Sequence, residues 1–142
     1  MTQLIFGRDE ELSKWSEENY PECCPLPRPL TTLGIASANG KILGVAIYHD
    51  FSDNDVQITF VTATPRWATQ GNVRAIFHYP FVQLGVKRMT AVTNKSNKKC
   101  RKLLEGVGFK VEGVHPYADG GTRAKISYGM YKTVAMEKWF NG

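Results

Sequence analysis

The stretch from Pro65 to Val73 offers a chemistry carried by the backbone rather than by side chains. Ahead of it, Val56, Ile58, Phe60 and Thr62 alternate with Gln57, Thr59 and Val61, the period-two pattern of a half-buried strand. Behind it, Val73, Ile76, Phe77, Phe81 and Leu84 recur at helical spacing. A strand that feeds a loop around Gly71 and then a helix leaves several N–H groups unsatisfied at the positive end of the helix dipole. Such a place suits a phosphate. The same pattern also fits an ordinary strand-to-helix connection, so it does not identify an anion site by itself.

Charge gives a second hint. The net charge is +5, and Lys87, Arg88, Lys95, Lys98, Lys99, Arg101 and Lys102 crowd one region. They fit a solvated helix face, a polyphosphate ligand or a nucleic-acid backbone. The absence of interleaved aromatic residues and of any groove-entering motif argues against nucleic acid. The three cysteines, Cys23, Cys24 and Cys100, lack a C-x-x-C spacing, which argues against structural disulfides and zinc. His49, Asp50, Asp53, Asp55, His115 and Asp119 all lie near turns and could act as bases, but no spacing singles one out.

The elements that must position these groups follow from pattern. At 142 residues, 42% of them apolar, the chain suits one soluble domain. No apolar run approaches the ~20 residues of a membrane span, and the start does not resemble a signal peptide, so a cytoplasmic protein is expected. Gln3 to Phe6 reads as a short strand. Asp9 is the expected N-cap of a helix running to about Asn19. Pro21, Pro25, Pro27 and Pro29 exclude regular structure from the connector that follows. Thr31 to Ser37 and Lys41 to Phe51 flank Asn39-Gly40, the preferred pair for a type I′ hairpin. The strand from Asp55 comes next, and then a helix over Asn72 to Leu84 that Pro80 must kink or shorten. A parallel strand is expected over Lys87 to Thr93. Cys100, Leu103, Leu104 and Val107 mark a further helix, stopped by Gly106 and Gly108. Phe109 to Val114 and Lys125 to Lys132 are the final strands. Met136, Trp139 and Phe140 in the tail either pack on the body or form a contact between two copies.

This order of elements, together with Asn97-x-x-Cys100-x-x-Leu103-Leu104-Glu105-x-x-Gly108-Phe109, resembles the GNAT acetyltransferase family. The block Asn97 to Gly113 looks most like the branch of the ribosomal-protein N-terminal acetyltransferases. The resemblance covers about Gln3 to Tyr131. It implies an α/β (α+β) domain over the whole chain, whose mixed, mostly antiparallel sheet has a central parallel strand pair that splays apart, with flanking helices. It also implies acetyl-CoA as cosubstrate. The backbone of Trp67, Ala68, Thr69, Gln70, Gly71, Asn72 and Val73 would then hold the pyrophosphate, and Val61, Thr62 and Ala63 would pair with the pantetheine arm. Asn97 would bond the same arm, or else only cap its helix. Lys98 and Arg101 would meet the phosphates. Two positions depart from the family's loop: Ala68 stands where Arg or Gln is usual, and Val73, where Gly or Ala is usual, narrows the space for close approach.

Acetyl transfer to an amine needs a neutral amine, a polarised thioester carbonyl and a proton for the departing thiolate. The family's usual tyrosine donor falls on Leu104, which has no proton to give. Cys100, where the branch often has serine, is one replacement, and Tyr128 in the last strand is another. Cys100 also lies on the apolar stripe of its helix and could simply be core. The expected function is an N-acetyltransferase acting on a protein N-terminus, a lysine or a small amine. The alternative is a GNAT-fold protein that binds a macromolecular partner without catalysis. Asn19 to Leu30 and His115 to Arg123 are the segments expected to select the acceptor.

Overall fold

A computed structural model describes residues 1–23, 25–118 and 123–140. Seven strands form one sheet: β1 (Thr2–Ile5), β2 (Leu30–Ser37), β3 (Ile42–His49), β4 (Asp55–Thr62), β5 (Arg88–Asn94), β6 (Lys110–His115) and β7 (Lys125–Tyr131). They lie in the order β1-β2-β3-β4-β5-β7-β6, and every neighbouring pair is antiparallel except β4 with β5. The mixed, mostly antiparallel sheet expected from the sequence is therefore present. Four helices flank it: α1 (Asp9–Asn19), α2 (Gln70–His78), α3 (Lys98–Val107) and α4 (Lys132–Trp139). No helix among the described residues is long and apolar enough to cross a membrane.

Two apolar clusters sit on opposite faces. Leu12 of α1 packs with Leu26, Val45, Ile47 and Val61 on one. Residues of α2, α3 and α4 pack with Ala46, Tyr48, Val56, Ile58 and Met89 on the other. Because both of its faces are covered, β3 is buried from Leu43 through His49, which is why its sequence reads as a run rather than an alternation.

Several local expectations are corrected. The β2–β3 turn is not type I′: Gly40 has φ +90° while Asn39 is not in the left-handed region, and Gly40 N donates to Ser37 O at 2.9 Å. That is a type I turn with a left-handed glycine after it, stabilised by one more loop residue than the type I′ form uses. Asp9 does not cap α1, because Arg8 holds the cap position and the Asp9 carboxylate instead accepts from Thr32 N and Thr32 Oγ1 at 2.8 and 2.7 Å. The proline connector contains one short 3₁₀ turn, Pro21–Cys23, since proline is tolerated at a first turn. The tail forms α4 and packs on the body: Trp139 Nε1 donates to Val107 O, and Trp139 O accepts from Arg74 Nε.

The helix after the loop starts two residues earlier than expected, at Gln70, and gives way at Tyr79 to a π turn ending at Leu84. Pro80 explains both the change and an unusual buried hydroxyl. Having no N–H, Pro80 cannot donate to Ile76 O four residues before it. The fully buried Tyr48 donates to that carbonyl instead, at 2.6 Å, and burial drives its phenol well above the ordinary range. The orphaned acceptor is thereby satisfied from the neighbouring strand.

Candidate functional site

The parallel pair is short. Asp55, Val56 and Gln57 of β4 face Arg88, Met89 and Thr90 of β5, and there the pairing ends. Beyond it β4 continues to pair only with β3, and β5 only with β7. The two strands thus splay apart as expected, leaving Ile58–Thr62 opposite Ala91–Asn94 without a ladder.

Alternation decides which peptide groups face this gap. Ala63 N donates to Leu43 O, so Ala63, Val61 and Thr59 turn their backbone groups toward β3. Phe60 and Thr62 turn theirs toward the gap. By the same reasoning Lys95 N donates to Ala124 O, which leaves the backbone of Val92 and Asn94 facing the gap from the other side. Of the three residues Val61, Thr62 and Ala63, it is Thr62 whose amide faces the gap, with no acceptor among the described residues. Its carbonyl accepts from Tyr20 Oη at 2.7 Å, a contact no sequence signal announces.

At the open end of β4 the chain turns into α2 through a tight loop. Thr64 caps a 3₁₀ turn over Pro65–Trp67; Ala68 N and Thr69 N donate to Pro65 O and Trp67 O. Thr69 caps α2, with Oγ1 accepting from Asn72 N and the carbonyl from Val73 N. Among the described residues no acceptor meets the amides of Gln70 and Gly71. Gly71 lies in the first helical turn, not in the loop, and a Cβ placed on it would meet nothing within 4 Å. The space over these two donors is open, and Arg66 and Arg74 are exposed beside them.

The remaining loop residues divide cleanly. Ala63, Ala68, Thr69, Gln70 and Gly71 are exposed, whereas Trp67, Asn72 and Val73 are buried. Trp67 packs at a tilt of 49° against Phe60, with 4.4 Å between ring centroids. Asn72 Nδ2 donates to Trp67 O and to Thr2 Oγ1, tying the loop to β1. Val73 packs in the core, so its side chain does not narrow the space above Gly71 as the sequence suggested.

On α3 one residue keeps to an expected duty and another departs from it. Asn97 takes the cap position that was one of its two expected duties, its Oδ1 accepting from Cys100 N at 3.2 Å. Its amide nitrogen remains exposed. Arg101 turns inward, with Nε donating to Tyr128 Oη at 3.1 Å and Nη1 to Lys95 O at 3.0 Å, rather than outward to phosphates. Tyr128 in turn donates to Glu105 Oε2 at 2.8 Å and is fully buried, which pushes its phenol up. Cys100 is half-buried near Thr93 at the open end of β5; burial raises its thiol, outweighing the lowering by the Thr93 side chain, and so keeps the proton on sulfur near neutrality.

The titratable residues near turns also separate. Asp55 accepts from Thr90 Oγ1 at 3.0 Å and lies 3.6 Å from Arg88 Nε. His115 bonds Ser127 Oγ at 3.0 Å, and Asp53 is exposed. Cys24 and Asp119, the latter a candidate base in the acceptor segment, lie outside the described residues. A cleft of about 510 Å³ opens beside Lys41, Ala63, Thr64 and Arg66, on the β3 flank of β4 and not in the gap itself.

No protein-family model matches the chain, and no curated protein matches it. Solved structures do. A point mutant of SpeG spermidine N-acetyltransferase from Vibrio cholerae is 12% identical with a TM-score of 0.73, over 95% of this chain and 96% of that one. SpeG spermidine/spermine N-acetyltransferase with manganese ions, from the same organism, is 13% identical with a TM-score of 0.68, over 96% and 95%. A GNAT-family acetyltransferase from Bacillus anthracis is 16% identical with a TM-score of 0.60, over 72% and 66%. At such identities the likeness establishes the fold, which is that of the GNAT acetyltransferases.

Proposed function

We propose that this chain transfers an acetyl group from acetyl-CoA to a primary amine. The observation that carries the reading is the parting of β4 and β5 after three pairs, with the free amides of Gln70 and Gly71 at its open end. The gap-facing backbone of Phe60, Thr62, Val92 and Asn94 suits an extended amide-bearing arm that adds like a strand. The α2 N-terminus suits a diphosphate, held by two amides and the helix dipole under an unfilled space at Gly71. Asn97, exposed at the start of α3, has an amide nitrogen left for the same arm. Lys98 is exposed next to it and is the basic residue best placed for a phosphate, Arg101 being engaged with Tyr128.

Acetyl-CoA, when bound, supplies an activated thioester. The chain's own part is to align the amine, polarise the carbonyl with a gap-facing amide such as that of Thr62, and return a proton to sulfur. Cys100 beside Thr93 is the donor proposed for that last step; Tyr128 is a second candidate, already bonded to Glu105. The SpeG neighbours are named for spermidine and spermine. For this chain the acceptor class proposed is a primary amine, whether a protein N-terminus, a lysine or a small amine.

Calorimetric titration with acetyl-CoA tests the reading, with a Kd on the order of 10 µM expected and free-thiol release on adding amines. Absence of heat and of a thermal shift at millimolar ligand would overturn it. Leu104, buried where the family has its tyrosine donor, favours a second reading in which the fold serves a macromolecular partner. Binding of acetyl-CoA without thiol release from any amine supports that second reading.

A further inference from the structure

His49 is a buried titratable group that the scheme above does not use. It ends β3, is 5% exposed, and makes two side-chain contacts. Nδ1 lies 2.5 Å from Asp50 Oδ2, and Nε2 lies 2.8 Å from Thr59 Oγ1. Asp50 is held at φ +53°, a left-handed conformation uncommon outside glycine, as its carboxylate meets the ring of the residue before it. A carboxylate only accepts, so Nδ1 carries a hydrogen, and the neutral form of the ring presents the lone pair of Nε2 to the Thr59 hydroxyl. The hydroxyl therefore donates to the ring and keeps its own lone pairs for another donor.

Position gives this chain of groups its meaning. Thr59 is half-buried and lies two residues past Gln57, the last residue of β4 paired with β5. Its side chain falls on the α1 face of the sheet with Val61 and Ile47. Across the gap the α1 face is uncovered, since Val92 of β5 is 45% exposed there while α2, α3 and α4 pack on the other side. Cys100 and the α2 N-terminus belong to that other side. A donor entering from the α2–α3 side and an acceptor amine from the α1 side would meet at the gap, with Thr59 on the amine's side.

We infer that Thr59, His49 and Asp50 form a relay that removes the proton from the attacking amine. This rests on the acetyl-transfer reading above. The amine nitrogen bonds to the acetyl carbon as the carbon–sulfur bond breaks, and its surplus proton passes to Thr59 Oγ1, whose own proton passes to His49 Nε2. The sulfur takes a proton from Cys100, which is reprotonated from solvent, and the imidazolium, held by Asp50, releases its proton to water. Asp50 is half-exposed, so the ring has an outlet. Of the other carboxylates on this face, Asp9 is bonded to Thr32, Glu10 lies by Arg28, Asp55 meets Thr90 and Arg88, and Glu112 meets Arg88 and Tyr131. Asp50 is the one that addresses the ring.

The test compares wild type with Thr59→Val, Thr59→Ser and His49→Gln, using acetyl-CoA with spermidine and with a short peptide bearing a free N-terminus. Acetyl-CoA binding by calorimetry should stay within about twofold in all four. Turnover should fall about 10²-fold in Thr59→Val and His49→Gln and recover most of its value in Thr59→Ser. The acid limb of the wild-type pH–rate profile should vanish in His49→Gln, which a purely structural histidine would not cause. In wild type, ¹⁵N NMR should show the Nδ1–H tautomer of His49. Unchanged turnover in Thr59→Val with binding intact, or the Nε2–H tautomer, overturns the relay and leaves the acetyl-transfer reading standing. Failure of wild type to bind acetyl-CoA overturns both.

Discussion

The two ends of the β4–β5 pair are built from the same kind of strand and behave oppositely. At the closed end, Thr90 Oγ1 donates to both Asp55 oxygens, Arg88 reaches Asp55 and Glu112, and the amides of Lys87 and Arg88 converge on Asn54 O. At the open end no side chain bridges the strands among the described residues, and the gap-facing backbone of Phe60 and Val92 has no ladder partner. Outer ladders hold the open end on both sides: β3 pairs with Gln57–Thr62 of β4, and β7 pairs with β5 along its whole length. The two ends therefore differ in their side chains: polar groups staple the strands at one, and at the other Phe60 packs at a tilt against Trp67 where the loop turns into α2. A region held apart by its surroundings can receive a ligand without paying to open, which is the preorganisation a binding site needs.

The largest effect should come from blocking the open end. Gly71→Glu places a carboxylate in the first turn of α2, where the space is empty and the dipole favours negative charge. Thermal stability should hold or rise, while acetyl-CoA affinity in calorimetry should fall at least about 100-fold through exclusion and repulsion. Equal affinity would show that the α2 N-terminus is not the phosphate site. At the closed end, Asp55→Ala removes the acceptor of Thr90 and a partner of Arg88. Chemical denaturation should report a loss of about 1–2 kcal/mol, with acetyl-CoA affinity in the surviving fold little changed. The smallest effect separates the two duties of Asn97. Asn97→Ser keeps a capping oxygen but loses the amide donor, so stability should shift by only a few tenths of a kcal/mol while acetyl-CoA binding weakens roughly tenfold. If neither moves, Asn97 is a cap and nothing more.

Spacing alone disclosed the elements, because β4's alternation and the apolar stripes of α2 and α3 are repeated many times along each segment. It also disclosed the parallel crossover, while the gap between the two strands was implied only by the resemblance to the GNAT family. What it could not supply was anything set by a single contact between distant residues. The orphaned carbonyl of Ile76 finds Tyr48 28 positions away in the chain, Asn72 finds Thr2, Arg101 finds Tyr128, and His49 finds Thr59. Local period and propensity say which way a side chain faces, and hydrogen-bond partners are decided only when the sheet brings the ends of separate strands together. Hence the hairpin and the parallel crossover were legible before folding, while the insertion of β7 between β5 and β6, the duty of Arg101 and the direction of the Thr62 amide belong to the tertiary structure.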